Sequence, residues 1–167
     1  MAHNSYDIRP FTTAEAGLYK AMRLEALELE AGMFGSNLAH ELAFSDEQWL
    51  SRITNPDAGC FGLFHGDELI GITGIVIDNK ERPEDAQMTQ SYIRKAYRGK
   101  GLSRMLYDIR LQWAREHGIK RLLIGHRASN HASKAANQHY GFTYIHSETR
   151  TWGDGETMDN LYYELWL

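Results

Sequence analysis

The sequence predicts a single α/β (α+β) domain spanning residues 1–167, with a mixed, mostly antiparallel central sheet of about seven strands flanked by about four helices. Two observations carry this expectation. Short runs of β-branched and aromatic residues, several of them paired about turn residues, alternate with longer segments whose apolar residues recur every three or four positions. In addition, a helical segment near 102–114 leads directly into the apolar run RLLIGHRA (121–128), and a helix followed by a buried strand implies a crossover and a parallel pairing.

YDIRPF (6–11) reads as a first strand, ended by Pro10 and two threonines. Thr12 stands three residues before Glu15, the spacing of a capping box, and Leu18, Met22, Ala26, Leu27 and Leu29 give the helix that follows an apolar face. AGMFGSNLAHE (31–41) breaks that period with two glycines and predicts a packed loop. SDEQWLSRI (45–53), with a capping serine, predicts a short helix that Asn55 and Pro56 stop. CFGLFHGDELIGITGIVID (60–78) gives two strands about a turn at His65 to Asp67, and AQMTQSYIRKA gives a third after the charged turn NKERPED. Leu102, Met105, Leu106, Ile109, Trp113 and Ala114 mark one helical face, ended by Gly118. After the strand 121–128, SNHASKAANQHYGF (129–142) predicts a helix capped by Ser129 or Asn130 and terminated by Gly141. FTYIHSETRTW and NLYYELWL form the last two strands about GDGETMD. The segment LYYELWL is apolar on both faces, which suits an interior strand or one covered by a second subunit; a homodimer is the expectation.

Composition narrows the function. A net charge of −4 argues against broad nucleic-acid binding, and no window is apolar enough for a membrane span. MAHNSYDIRPF has no apolar leader core, so a cytoplasmic protein is expected. Cys60 is the sole cysteine and reads as a small buried apolar residue. Eight histidines occur without a metal-ligand spacing, so no metal site is expected.

The stretch SYIRKAYRGKGLSRMLYD (91–108) passes from strand to cationic turn to helix. First-turn N–H groups lack internal partners and carry partial positive charge, glycine lets the backbone approach a ligand, and Arg98 and Lys100 add charge. A diphosphate is the natural guest. No Walker string is present, and Arg104 occupies the third-glycine position of a dinucleotide fingerprint.

RGKGLS in this setting resembles the acyl-CoA loop of the GNAT superfamily of N-acetyltransferases, whose pattern is Q/RxxGxG/A; Arg98 and Gly101 match and Ser103 replaces the last small residue. Asn130 opening a helix that Gly141-Phe142 closes resembles a second motif of that superfamily. The resemblance implies a GNAT-like fold whose sheet splays between the fourth and fifth strands, with acetyl-CoA as cosubstrate and a small-molecule amine as acceptor. It implies that backbone groups of Tyr92, Ile93 and Arg94 pair with pantetheine, and that amides of Arg98, Gly99, Lys100, Gly101, Leu102 and Ser103 hold the pyrophosphate. Asn130 and Ser133 would contact the pantetheine arm.

Where many members carry a tyrosine beside the leaving thiolate, this chain has Asn137, an amide that donates a hydrogen bond without supplying a proton; Tyr140 is the other candidate for that catalytic role. Gln87 and Gln90 stand on the strand where members often have a glutamate base, leaving Glu41, His126, His146 or a relayed water. By the same resemblance, Phe34, Glu41 and Trp152 would contact the acceptor. The alternative is a non-catalytic acyl-CoA sensor that keeps the loop and has lost the chemistry.

Overall fold

Strands and helices follow one another in the order β1 (Tyr6–Pro10), α1 (Ala16–Leu29), α2 (Leu38–Leu42), α3 (Asp46–Thr54), β2 (Ala58–His65), β3 (Glu68–Val76), β4 (Asp85–Ile93), α4 (Ser103–Glu116), β5 (Arg121–Arg127), α5 (His131–His139), β6 (Thr143–Thr151) and β7 (Thr157–Trp166). This computed structural model describes residues 5–167, so the first four residues of the stretch read as lacking a leader lie outside it. The local chemistry is that of the sequence. The Thr12 backbone N–H donates to Glu15 Oε1 at 2.9 Å ahead of α1, and Ser45 and Gln48 cap α3 reciprocally at 2.8 and 3.2 Å. Gly66 turns β2 into β3 and Gly141 ends α5, each at positive φ.

All seven strands form one mixed sheet in the order β1-β2-β3-β4-β5-β7-β6. Every pairing is antiparallel except β4 with β5, which runs for three residues only, Asp85–Gln87 against Arg121–Leu123. Beyond Gln87 the two strands part, giving the splay the resemblance implies. A bulge lies in the parted section of β4: the β3 register jumps between Ile72 and Gly74, and Gln90 takes φ 47°, the one positive φ outside glycine among the described residues. Tyr19 steadies it, donating from its hydroxyl to Gln90 Oε1 at 2.7 Å. β7 is an interior strand, as the apolar NLYYELWL run suits, paired on one edge by β5 and on the other by β6.

The sheet separates two apolar layers. On one face α1 and α3 bury Tyr19, Met22, Leu27 and Trp49 against Phe64 and Ile72, and on the other α4 and α5 bury Tyr107, Leu111, Trp113 and Phe142 against Phe61, Ile75 and Leu122. Cys60 is buried in the first layer, where burial pushes its thiol up to about 12 and leaves it unreactive.

Two elements depart from expectation. The segment read as a loop contains a short helix, α2, capped by the Asn37 side chain accepting from the His40 N–H at 2.8 Å, which makes five helices rather than about four. On α1 the buried stripe is Tyr19, Met22, Arg23, Ala26 and Leu27, while Leu18 and Leu29 face solvent. The stripe is rotated because Arg23 is drawn inward, where Glu41 of α2 receives it through paired bonds of 2.9 Å.

Candidate active site

The opening between β4 and β5 continues into a groove of about 430 Å³. Tyr92, Ile93, Arg98, Ser103, Asn130, Ser133 and Asn137, all expected at a cofactor, line it together. Gly99, Lys100, Gly101 and Leu102 form the turn joining two of its walls, with Gly99 and Gly101 at φ +77° and +75° and Leu102 buried as the anchor. Among the described residues, none of the backbone N–H groups from Gly99 to Arg104 donates to a protein acceptor. Six consecutive free amides at the start of a 14-residue helix make a strong anion cradle. Arg98 bonds the Ile93 carbonyl at 2.8 Å and Glu30 at 2.7 Å. The Arg94 side chain turns away, held by Glu25 and Glu68, and so offers the groove only its backbone.

Deeper in, Asn137 is buried with its Oδ1 accepting from the Tyr107 hydroxyl at 2.5 Å, while its Nδ2 has no partner. Tyr107 thereby fixes which end of the amide is free to donate. Tyr140 lines neither this groove nor the cavity beside it: its ring stacks on Tyr107 at 4.2 Å and 9°, so it buttresses the Tyr107–Asn137 pair from behind. His126 faces the groove with both ring nitrogens engaged, by the Arg127 carbonyl at 2.7 Å and the Tyr163 hydroxyl at 3.2 Å, and burial lowers its pKa. His146 stands apart, stacked on Tyr162. Asn130 caps α5 by accepting from the Ser133 N–H at 3.1 Å and donates to the Met33 sulfur at 3.3 Å.

A second cavity, of about 570 Å³, opens on the other side of the splay. Met33, Phe34, Met88, Thr89, Gln90 and Gly125 line both spaces, so the two meet at the bulge of β4. Phe34 and Trp152 line this cavity as expected of acceptor contacts, but Glu41 does not. Glu41 is fully buried behind the wall, bonded to Arg23 and, at 2.8 Å, to Arg52. Burial works to raise its pKa, and the Arg23 bonds and charge, with Arg52, outweigh that and hold the carboxyl below its ordinary value. The arginines reach the cavity instead. Its roof is latched: Arg127 joins the Gly32 carbonyl at 2.9 Å to Asp154 at 2.6 Å and Glu156 at 2.8 Å, and the Gly153 N–H donates to the Phe34 carbonyl at 3.1 Å.

A family model, the acetyltransferase (GNAT) family, matches residues 23–142, from the middle of α1 to just past α5. The chain belongs to the GNAT acetyltransferase family. Solved structures agree in fold. A GNAT-family acetyltransferase from Streptococcus pneumoniae aligns with a TM-score of 0.81 at 20% identity, over 98% of this chain and 100% of that one. The yncA protein of Salmonella typhimurium, solved with its cofactor acetyl-CoA, aligns at 0.81 and 18% over 98% and 95%. A ribosomal-protein-alanine N-acetyltransferase from Brucella melitensis aligns at 0.78 and 20% over 96% and 99%. No curated protein matches the chain in sequence.

For this GNAT chain, sequence reasoning missed Arg23, Arg52, Arg150 and Asn160 in the second cavity and Tyr107 and Arg110 at the groove. The available signal was an arginine inside an apolar helical stripe, at Arg23 and again at Arg110, where a cation is costly unless something meets it.

Proposed function

We propose that this GNAT chain transfers the acetyl group of acetyl-CoA to a primary amine of a small molecule, by direct attack in a ternary complex. The observation that carries the reading is the meeting of an anion-cradling groove and a separate cavity at one point, the β4 bulge, which lets donor and acceptor enter from opposite sides. The residues present fit the donor. Six free amides with Lys100 beside them suit a diphosphate, the unpaired edge of β4 beyond Gln87 suits the amide groups of a pantetheine arm, and the buried, unpartnered Nδ2 of Asn137 suits a sulfur. The acetyl-CoA bound to the Salmonella protein supports the same choice of donor.

Acetyl-CoA supplies an electrophilic thioester carbon and a thiolate leaving group. The Gly99–Arg104 amides would hold the diphosphate and the open edge of β4 the arm, which would direct the thioester toward the junction at Thr89 and Gln90. Asn137, clamped by Tyr107, donates its free N–H to the departing sulfur. A thiolate is a far weaker base than an alkoxide or an amide anion, and that hydrogen bond therefore suffices without a dedicated acid. Asp78 is the one carboxylate lining the acceptor cavity among the described residues, so the amine's proton leaves through the solvent of that cavity. The latched roof of Phe34 and Trp152 favours a small acceptor over a protein chain.

Calorimetry with acetyl-CoA and a thiol-release assay across a panel of amines test the reading. Saturable binding with acceptor-dependent release is expected. Failure of a folded protein to bind at millimolar acetyl-CoA refutes it, and tight binding with no transfer makes the chain a sensor.

A further inference from the structure

The acceptor cavity is cationic, and its polar groups are incompletely paired. Arg23, Arg52 and Arg150 line it. Among the described residues, Asp78 on its wall and Glu41 behind Arg23 and Arg52 are the carboxylates set against them, leaving positive charge in excess. Arg23 spends Nε and Nη2 on Glu41, while its Nη1 is buried without a partner. Arg150 forms no ion pair or hydrogen bond among the described residues; its guanidinium rests 5.3 Å from the Trp152 ring and against the Gly35 backbone. At the far side, Asn160 leans over Gly125, where a β-carbon would come within 2.9 Å of its Oδ1, and that oxygen is also buried and unpartnered. Gly125 is part of the junction with the groove.

A buried donor and a buried acceptor left open on residues that line one cavity cost stability unless a ligand completes them. A purely cationic amine suits Asn160 but is repelled by the guanidiniums. A carboxylate meets Arg23 and Arg150 with charge-assisted bonds, and an amine on the same molecule then reaches Asn160 at the junction. We propose that the acceptor is a primary amine carrying a carboxylate, an amino-acid-like molecule, with its carboxylate at Arg23 and Arg150 and its amine at Asn160. This rests on reading the site as an amine acetyltransferase.

The test compares matched acceptors, phenylalanine with phenethylamine and methionine with 3-(methylthio)propylamine, each amino acid also as its methyl ester, by kcat/KM at saturating acetyl-CoA. The free acid is expected to lead its amine and ester by about ten-fold or more in at least one set. Arg150→Gln, an exposed position where folding is not at stake, should erase that lead while leaving acetyl-CoA affinity unchanged. Gly35→Ala, whose β-carbon would collide with the Arg150 guanidinium, should reduce it without removing the charge. Preference for the amines or esters, or a ratio unmoved by Arg150→Gln, overturns the proposal. If acetyl-CoA binds and no acceptor reacts, the transferase reading has failed on its own. Calorimetry of the same amino acids against CoA-loaded protein then decides the carboxylate site: binding that weakens about ten-fold in Arg150→Gln upholds it, and no binding at millimolar ligand overturns it.

Discussion

Gly101→Ala isolates a single physical term. Gly101 sits at φ +75°, and a β-carbon built there meets nothing within 4 Å, so the change adds no clash and acts only through the backbone. An L-residue held in that region costs about 1–2 kcal/mol. If the turn keeps its shape, the cost appears as lost stability, a fall in Tm of roughly 2–4 °C per kcal/mol for a chain of this size. If the turn relaxes, the free amides lose their common direction and the cost appears in cofactor affinity, up to about a 5–30-fold rise in Kd for acetyl-CoA. Thermal unfolding and calorimetry, taken together, therefore recover the whole strain however it is divided. Gly17→Ala in α1 is the control: it is the same chemical change in open space without positive φ, and should stabilise by up to about 1 kcal/mol with no effect on binding. Gly101→Ala with unchanged Tm and unchanged Kd would refute the claim that this turn is built on positive φ.

Asn137→Ala should lower kcat by about 10–100-fold and acetyl-CoA affinity much less, with Tyr107→Phe intermediate because it only unclamps the amide; unchanged single-turnover rates would make Asn137 structural. Glu41→Gln should cost about 3 kcal/mol in denaturant unfolding, since it strips a buried partner from Arg23 and Arg52. With its folded pKa depressed, Glu41 stabilises fully above its unfolded value near 4.3, and that contribution drains as pH falls through the folded value; the variant should lack this part of the acid slope. Arg110 is buried with its Nε on the Leu106 carbonyl and no carboxylate, and burial lowers its pKa to about 10. Arg110→Met should therefore raise Tm by several degrees, and a fall would show the guanidinium to be a structural anchor.

The groove was legible because its parts are local. Glycines that turn at positive φ, a helix start and an Asn130 cap are each written within a few residues, and the chemistry of free amides follows from the backbone alone. The β4 bulge was not legible, since Gln90 adopts its φ through a tertiary bond from Tyr19, seventy-one positions away. Glu41 was expected at the acceptor and lies elsewhere for a related reason. Glu41 is conspicuous in sequence, yet α2 carries it behind the wall into a bond with Arg23. Arg23, Arg150 and Asn160, which do reach the cavity, come from α1, β6 and β7, with nothing in their neighbourhoods to mark them as partners. Tyr140 shows the converse: it stands near the expected position along the helix, but stacking on Tyr107 turns it away from the groove.

Among the described residues, the β1–β4 half of the sheet is laddered to the β5–β7 half by three parallel residue pairs, with the Arg121–Asp85 ion pair at the same end. A ligand arm lying along β4 would act as the missing rungs, so the cosubstrate doubles as a staple between half-sheets. Amide hydrogen exchange should then report on loading far from the pyrophosphate turn. Protection should rise along Met88–Ile93 and in the last residues of β5 together, and the two halves, able to open separately when empty, should open as one unit when loaded.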